Sequence, residues 1–175
     1  MNNKTLTFDI SALLNSPAGE SVVYRFKGPV NFEGIEMDSD LSGKVEIMRI
    51  DEGFNVVARD VGGKVKLSCK KCLEKFSKKI KIKNTERIFF LERPKNIKDI
   101  NDLYLVDKKH LTVDLKEMIR QELILHFPVI SVCSTHCKGI CPVCGKNLNK
   151  EKCNCKINEE SKENKPLSEL KNLLK

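Results

Sequence analysis

The residues best equipped for chemistry in this chain are its eight cysteines, and they come in pairs. Residues 133–155 read CSTHCKGICPVCGKNLNKEKCNC, and CKKC stands far upstream at Cys69 and Cys72. Four thiolates gathered by tight turns hold a soft divalent ion in a tetrahedron, and a Cys-Pro-x-Cys-Gly knuckle supplies such a turn. Cys141-Pro142-Val143-Cys144-Gly145 has that form: Pro142 fixes one backbone angle, and Gly145 permits a left-handed one. Residues two apart in an extended strand face opposite ways, so Cys153 and Cys155 must lie in a turn to face one ion; Asn154 between them tolerates it. Cys141, Cys144, Cys153 and Cys155 are therefore expected to form one metal site. Cys69, Cys72, Cys133 and Cys137 are left for a possible second, in which two half-sites far apart in sequence meet. Two variants stay open: Cys133 or Cys137 replacing a member of the CxC pair and leaving CKKC free, or His136 donating a ring nitrogen.

Compartment decides between metal and disulfide. The N-terminal MNNKTLTFDI has no basic start followed by a long apolar run, and no segment reaches the length of a membrane span, so the chain is expected in the cytoplasm. Thiols are kept reduced there, which favours metal or redox chemistry over disulfides. Thiol redox catalysis by CKKC is disfavoured, because such motifs open a helix after a strand of a parallel fold, whereas strand-like alternation continues on both sides here. Cys137, Cys141 and Cys144 have the CxxxCxxC spacing of radical iron–sulfur enzymes, but those need a barrel after the motif and only 31 residues follow Cys144. Zinc is accordingly expected ahead of an iron–sulfur cluster. No Gly-rich GxxxxGK loop and no Ser, His and Asp cluster suggests phosphoryl or acyl transfer, so the chain is read as a non-enzyme.

The elements that must position these residues can be read from periodicity. TLTFDI alternates as a short strand and SALLN follows as one helical turn. From residue 22 to 90 the pattern is mostly strand, with a turn at Asp51-Glu52-Gly53 and a bend or bulge at Gly62-Gly63. Residues 91–111 read as a loop with a short strand at LYLV. Helical spacing over about residues 113–126 puts Leu115, Met118, Ile119, Glu122 and Leu123 near one face, with Asp114 as cap, Glu117 three residues on and Pro128 as terminator. The chain is thus expected to be α+β: an antiparallel β-sheet or partly closed β-barrel with a packed helix in residues 1–132, a cysteine-rich metal-binding module in 133–156, and a polar linker with a short amphipathic helix (Leu167, Leu170, Leu173, Leu174) in 157–175.

Charge is concentrated. The net charge is +8, and residues 64–83 hold nine lysines against one acid, Glu74. Pairing of the strands either side of CKKC would put Lys64, Lys66, Lys79, Lys81 and Lys83 on one face, with Lys70 and Lys71 at the turn, and Val65, Leu67, Ile80 and Ile82 inward. Such a basic ribbon suits the spaced phosphates of folded RNA; with only Phe76 nearby, base stacking is not expected.

VKLSCKKCLEKF and CSTHCKGICPVCGKNLNKEKCNC, with the VDLKEMIRQELILHFP helix before the latter, resemble the YceD family of large-ribosomal-RNA accumulation proteins. The resemblance implies a cytosolic, non-catalytic factor supporting accumulation of large-subunit ribosomal RNA and ribosome assembly, with that RNA or a pre-ribosomal particle as partner and no membrane. The alternative is a zinc-containing adaptor that holds a basic ribosomal protein.

Overall fold

The structure, a computed structural model, describes residues 6–94 and 103–155. They divide into two compact units, one of Met1–Ser68 with Lys75–Ser131, the other of Cys69–Glu74 with Val132–Lys175. The expected linker and amphipathic helix of residues 157–175 lie outside the described residues. Among the described residues, no helix is long and apolar enough to cross a membrane.

The first unit is mostly sheet. It opens with β1 (Thr7–Asp9) and a single helical turn, α1 (Ser11–Leu14). β2 (Ser21–Gly28), β3 (Leu41–Ile50), β4 (Gly53–Ser68) and β5 (Lys75–Phe90) pair antiparallel in that order. β6 (Tyr104–Leu105), the LYLV strand, joins β5 parallel and makes the five-stranded sheet mixed. β7 (Thr112–Asp114) pairs with β1, and α2 (Lys116–Leu125) follows. At the β3–β4 turn a Cβ on Gly53 would collide with the Phe89 carbonyl oxygen, so the close approach of β4 to β5 needs glycine there.

Long strands keep one face buried only if nothing shifts their alternation, and β4 carries such a shift. The β3–β4 register changes between Ser42↔Gly62 and Lys44↔Arg59, leaving β4 one residue longer, and Asp60 takes a left-handed φ of 53°. Before it Phe54, Val56 and Ala58 are buried; after it Val61 and Val65 are. β5 changes phase opposite, from Ile80 and Ile82 to Thr85 and Phe89. The irregularity expected at Gly62-Gly63 thus sits just before those residues. Beyond it, β4 is flanked on its other side by residues 36–39: Lys66 donates its N–H to the Glu36 carbonyl and Asp38 to the Lys64 carbonyl, both at 2.8 Å.

The helical spacing predicted from about residue 113 begins later. Val113 pairs with Phe8, so Thr112–Asp114 stay extended, and α2 starts at Lys116 with its N–H donated to Asp114 Oδ1 at 2.9 Å. Tertiary pairing has overridden local periodicity here. Leu115, Met118, Ile119 and Leu123 are fully buried in one cluster with Phe54, Val56 and Phe89. Glu122, on the same side, meets Arg87 Nη2 at 3.1 Å.

Candidate metal centres and basic ribbon

The second unit is built on two knuckles made by the same hydrogen bonds. Cys69 donates its N–H to the Glu74 carbonyl (2.9 Å), and Leu73 donates to the Cys69 carbonyl (2.9 Å). Cys141 and Gly145 repeat this with Lys146 and Cys141 at 2.8 and 2.9 Å. The N–H of Lys71 points at Cys69 Sγ and that of Val143 at Cys141 Sγ, each at 3.4 Å. Leu73 has a φ of 63° where Gly145 has 73°; a left-handed Leu costs roughly 1–2 kcal/mol, which is why CKKCL is hard to see as the partner of CPVCG. In CNC the N–H of Cys155 turns back onto Cys153 Sγ at 3.3 Å.

Two groups of four sulfurs result. Cys69, Cys72, Cys133 and Cys137 form one, Cys141, Cys144, Cys153 and Cys155 the other, with the sulfurs of each group within 4.8 Å of one another. A tetrahedral ion with bonds of about 2.3 Å to sulfur places its ligands about 3.8 Å apart. Cys69–Cys137 at 3.8 Å and Cys72–Cys133 at 3.7 Å match this, and Cys144–Cys153 and Cys141–Cys153 are slightly closer at 3.5 and 3.4 Å. Both groups could hold a metal ion. His136 is exposed and belongs to neither.

Within each group some thiols are drawn toward the thiolate and others are held away from it. Burial resists charge on Cys69, but the N–H groups of Cys72, Cys133 and Lys71 outweigh it and bring the thiol down to about 6. The N–H groups of Cys144 and Val143, with the Cys153 side chain, bring Cys141 down to about 6. Their neighbours respond the other way. Loss of water around its sulfur, then the Cys137 and Cys72 sulfurs, push Cys133 up to about 12, although the residue is otherwise exposed; the Cys153 and Cys144 sulfurs push Cys155 up to about 12. Sulfurs this close cannot all ionise alone, whereas a dication lets all four do so. The groups differ in access: Cys69, Cys72 and Cys137 are buried in the first, only Cys141 in the second.

Sequence reasoning had missed the supporting polar groups. Asn149 Nδ2 donates to Cys137 Sγ at 3.4 Å, while Glu74 accepts from Asn147 Nδ2 at 3.3 Å and Lys150 Nζ at 2.6 Å. The clustered Asn and Lys of KNLNK were the available signal.

The lysines divide between the units. Lys70 and Lys71 are exposed in the second. In the first, Lys64 and Lys66 of β4 and Lys79, Lys81 and Lys83 of β5 are all exposed, with Val65, Ile80 and Ile82 buried and Leu67 half-buried between them. Lys66 Nζ pairs with Glu36 at 2.9 Å, and Lys81 Nζ with Asp60 at 2.7 Å. These acids are 21 or more positions from their lysines, so alternation could not reveal the pairs.

The sequence profile of the family described as large ribosomal RNA subunit accumulation protein YceD matches residues 57–174. A curated relative, the large ribosomal RNA subunit accumulation protein YCED homolog 1, chloroplastic, of Arabidopsis thaliana, is 39% identical over 70 residues, covering 37% of this chain and 22% of that protein. The chain therefore spans about a fifth of the length of the curated relative it matches. No solved structure matches. With residues 57–174 of 175 inside the family profile, the chain belongs to the YceD family.

Proposed function

We propose that this protein supports accumulation of large-subunit ribosomal RNA, the role the family's name gives, by binding that RNA or a pre-ribosomal particle in the cytosol through the exposed lysines of β4 and β5, without catalysing a reaction. The observation carrying this reading is five exposed lysines on neighbouring strands over a buried apolar face. Phosphates are contacted as point charges, and the rigid pairing fixes their spacing. Lys70 and Lys71 add positive charge within the second unit. Zinc is the ion proposed for both sulfur groups, since four thiolates without imidazole or carboxylate suit a structural site. The proposed organisation is a core in residues 1–132 and a metal module in 133–156, to which the Cys69–Glu74 knuckle contributes. The test is sedimentation of tagged protein through lysates: it should travel with large-subunit precursors at low salt and leave them as salt rises. Migration only in the light fractions at every salt would reject RNA or particle binding.

The metal proposal has its own test by hydrogen exchange. Chelation should strip protection from residues 69–74 and 133–155, because such a site gains its local folding energy from the ion. Val45, Ile47, Val56 and Val61 should stay protected, being fully buried in the sheet. Unchanged exchange in both cysteine segments would rule out a structural ion.

A protein adaptor is the second reading, favoured by the exposure of Leu125, Val129 and Ile130, of which Val129 is 98% exposed. Its weakness is charge. Glu36, Asp38 and Asp60, which would attract a basic ribosomal protein, face this chain's own lysines.

A further inference from the structure

The ribbon lysines are not equivalent. Lys66 Nζ lies 2.9 Å from Glu36 and 3.9 Å from Asp38, Lys75 shares Glu36 at 3.1 Å, and Lys81 is held by Asp60 at 2.7 Å. Asp60 is well placed for this, because its left-handed backbone at the β4 bulge leaves its carboxylate beside Lys81, and that lysine holds the carboxyl below its ordinary range. Among the described residues, no acidic oxygen lies at ion-pair distance from Lys64, Lys79 or Lys83.

Two of these unmatched ammoniums are brought together. Lys64 stands directly opposite Lys79 in the β4–β5 register. Its N–H donates to Ser39 Oγ and its carbonyl accepts from Asp38, so its backbone bonds point away from β5. Lys64↔Lys79 is therefore a narrow, non-hydrogen-bonded pair, the kind whose Cα atoms come to about 4.5 Å and whose side chains crowd most. Like charges directly opposite in a sheet repel. The pair borders a cleft of about 380 Å³ that Lys81, Asp60 and Asp40 also line, and Gly62 has no side chain to fill the space beside Lys81. An unneutralised cationic pair at the narrow spot of a strand pair, with room above it, is an anion seat.

Resting on the RNA-binding reading, we infer that the ribbon does not meet RNA as an even stripe: Lys64 and Lys79 form one phosphodiester seat, while Asp60 and Glu36 are internal competing anions that hold Lys81 and Lys66 away from the phosphates. A lysine already neutralised by a carboxylate releases no counterion when a phosphate arrives, so among the five ribbon lysines the free pair and Lys83, and not Lys66 or Lys81, contribute to the salt dependence of binding.

The test is filter binding of the full chain to transcribed large-subunit ribosomal RNA between about 50 and 200 mM salt. Lys64→Gln/Lys79→Gln and Lys66→Gln/Lys81→Gln remove the same net charge. The first should weaken binding at least tenfold at low salt and flatten the slope of log affinity against log salt by about one to two units. The second should change affinity less than threefold and leave the slope alone. Asp60→Asn should tighten binding and steepen the slope by about one unit, because Lys81 is then free. Lys64→Arg/Lys79→Arg should bind like wild type, which separates loss of charge from loss of fold. Equal losses in the two glutamine pairs, or wild-type binding by the first, would overturn the seat while leaving RNA binding in place. A wild-type chain that binds no RNA at any salt would instead remove the reading on which the seat rests.

Discussion

A Cys72→Ser chain, purified anaerobically, should carry one equivalent of zinc where the wild type carries two. Cys72 is 5% exposed and its sulfur lies 3.7 Å from Cys133, so the replacement leaves three thiolates around a hydroxyl that does not ionise near neutral pH. Structural zinc contributes about 10–16 kcal/mol in small metal-folded domains, comparable to the whole stability of an ordinary domain at about 5–15 kcal/mol. Losing it should therefore unfold residues 69–74 with 133–137, not merely loosen them. Cys141→Ser should remove the other equivalent in the same way, since Cys141 is the buried member of its group. Elemental analysis decides: a wild-type chain free of metal, or a Cys72→Ser chain retaining two equivalents, would refute the assignment, and a brown protein would replace zinc by iron and sulfur.

Charge reversal at Lys64, Lys66, Lys79, Lys81 and Lys83 should abolish association with large-subunit RNA. All five side chains are exposed, so the sheet should survive, with a small penalty where new glutamates stand beside Glu36 and Asp60. Removing one lysine–phosphate interaction flattens the log–log salt slope by about 0.9 unit, so the five together are worth about three to five units, the lower end applying if Lys66 and Lys81 are already neutralised. In cells the variant should resemble a depletion, with less mature large-subunit RNA at unchanged protein level. A folded variant that binds and supports that RNA like wild type would sink the lysine mechanism and favour the adaptor.

Much of this was legible where a single residue's pattern carries the information. Alternation at Val45 and Ile47, and at Ile80 and Ile82, marked the buried face, because a half-buried strand leaves that imprint whatever its partners. The CPVCG knuckle was legible for a similar reason: proline and glycine record the backbone angles they permit. What could not be read depends on positions distant in sequence. Val113 looks helical by spacing and is extended because Phe8 pairs with it. Leu73 hides a left-handed turn that glycine would have announced. The carboxylates that meet Lys66 and Lys81 come from other segments, so the apparent uniformity of the lysine run was a property of the sequence alone. Sulfur spacing predicted pairs of ligands, but only three-dimensional proximity brings Cys69 and Cys72 near Cys133 and Cys137.

That last proximity makes the second unit discontinuous: its first knuckle, Cys69–Glu74, is interrupted from the remainder by the rest of the sheet and α2. During translation Cys72 therefore leaves the ribosome 61 residues ahead of Cys133. At about 5–20 residues per second, CKKC waits roughly 3–12 s without the two sulfurs that complete its group, its thiols open to oxidants. The group of Cys141, Cys144, Cys153 and Cys155 has no such interval, since its four ligands emerge within fifteen residues of one another. Excision gives the same asymmetry: a fragment beginning at residue 133 inherits one whole group of four sulfurs and half of the other, so this unit cannot be moved between proteins as a single cassette.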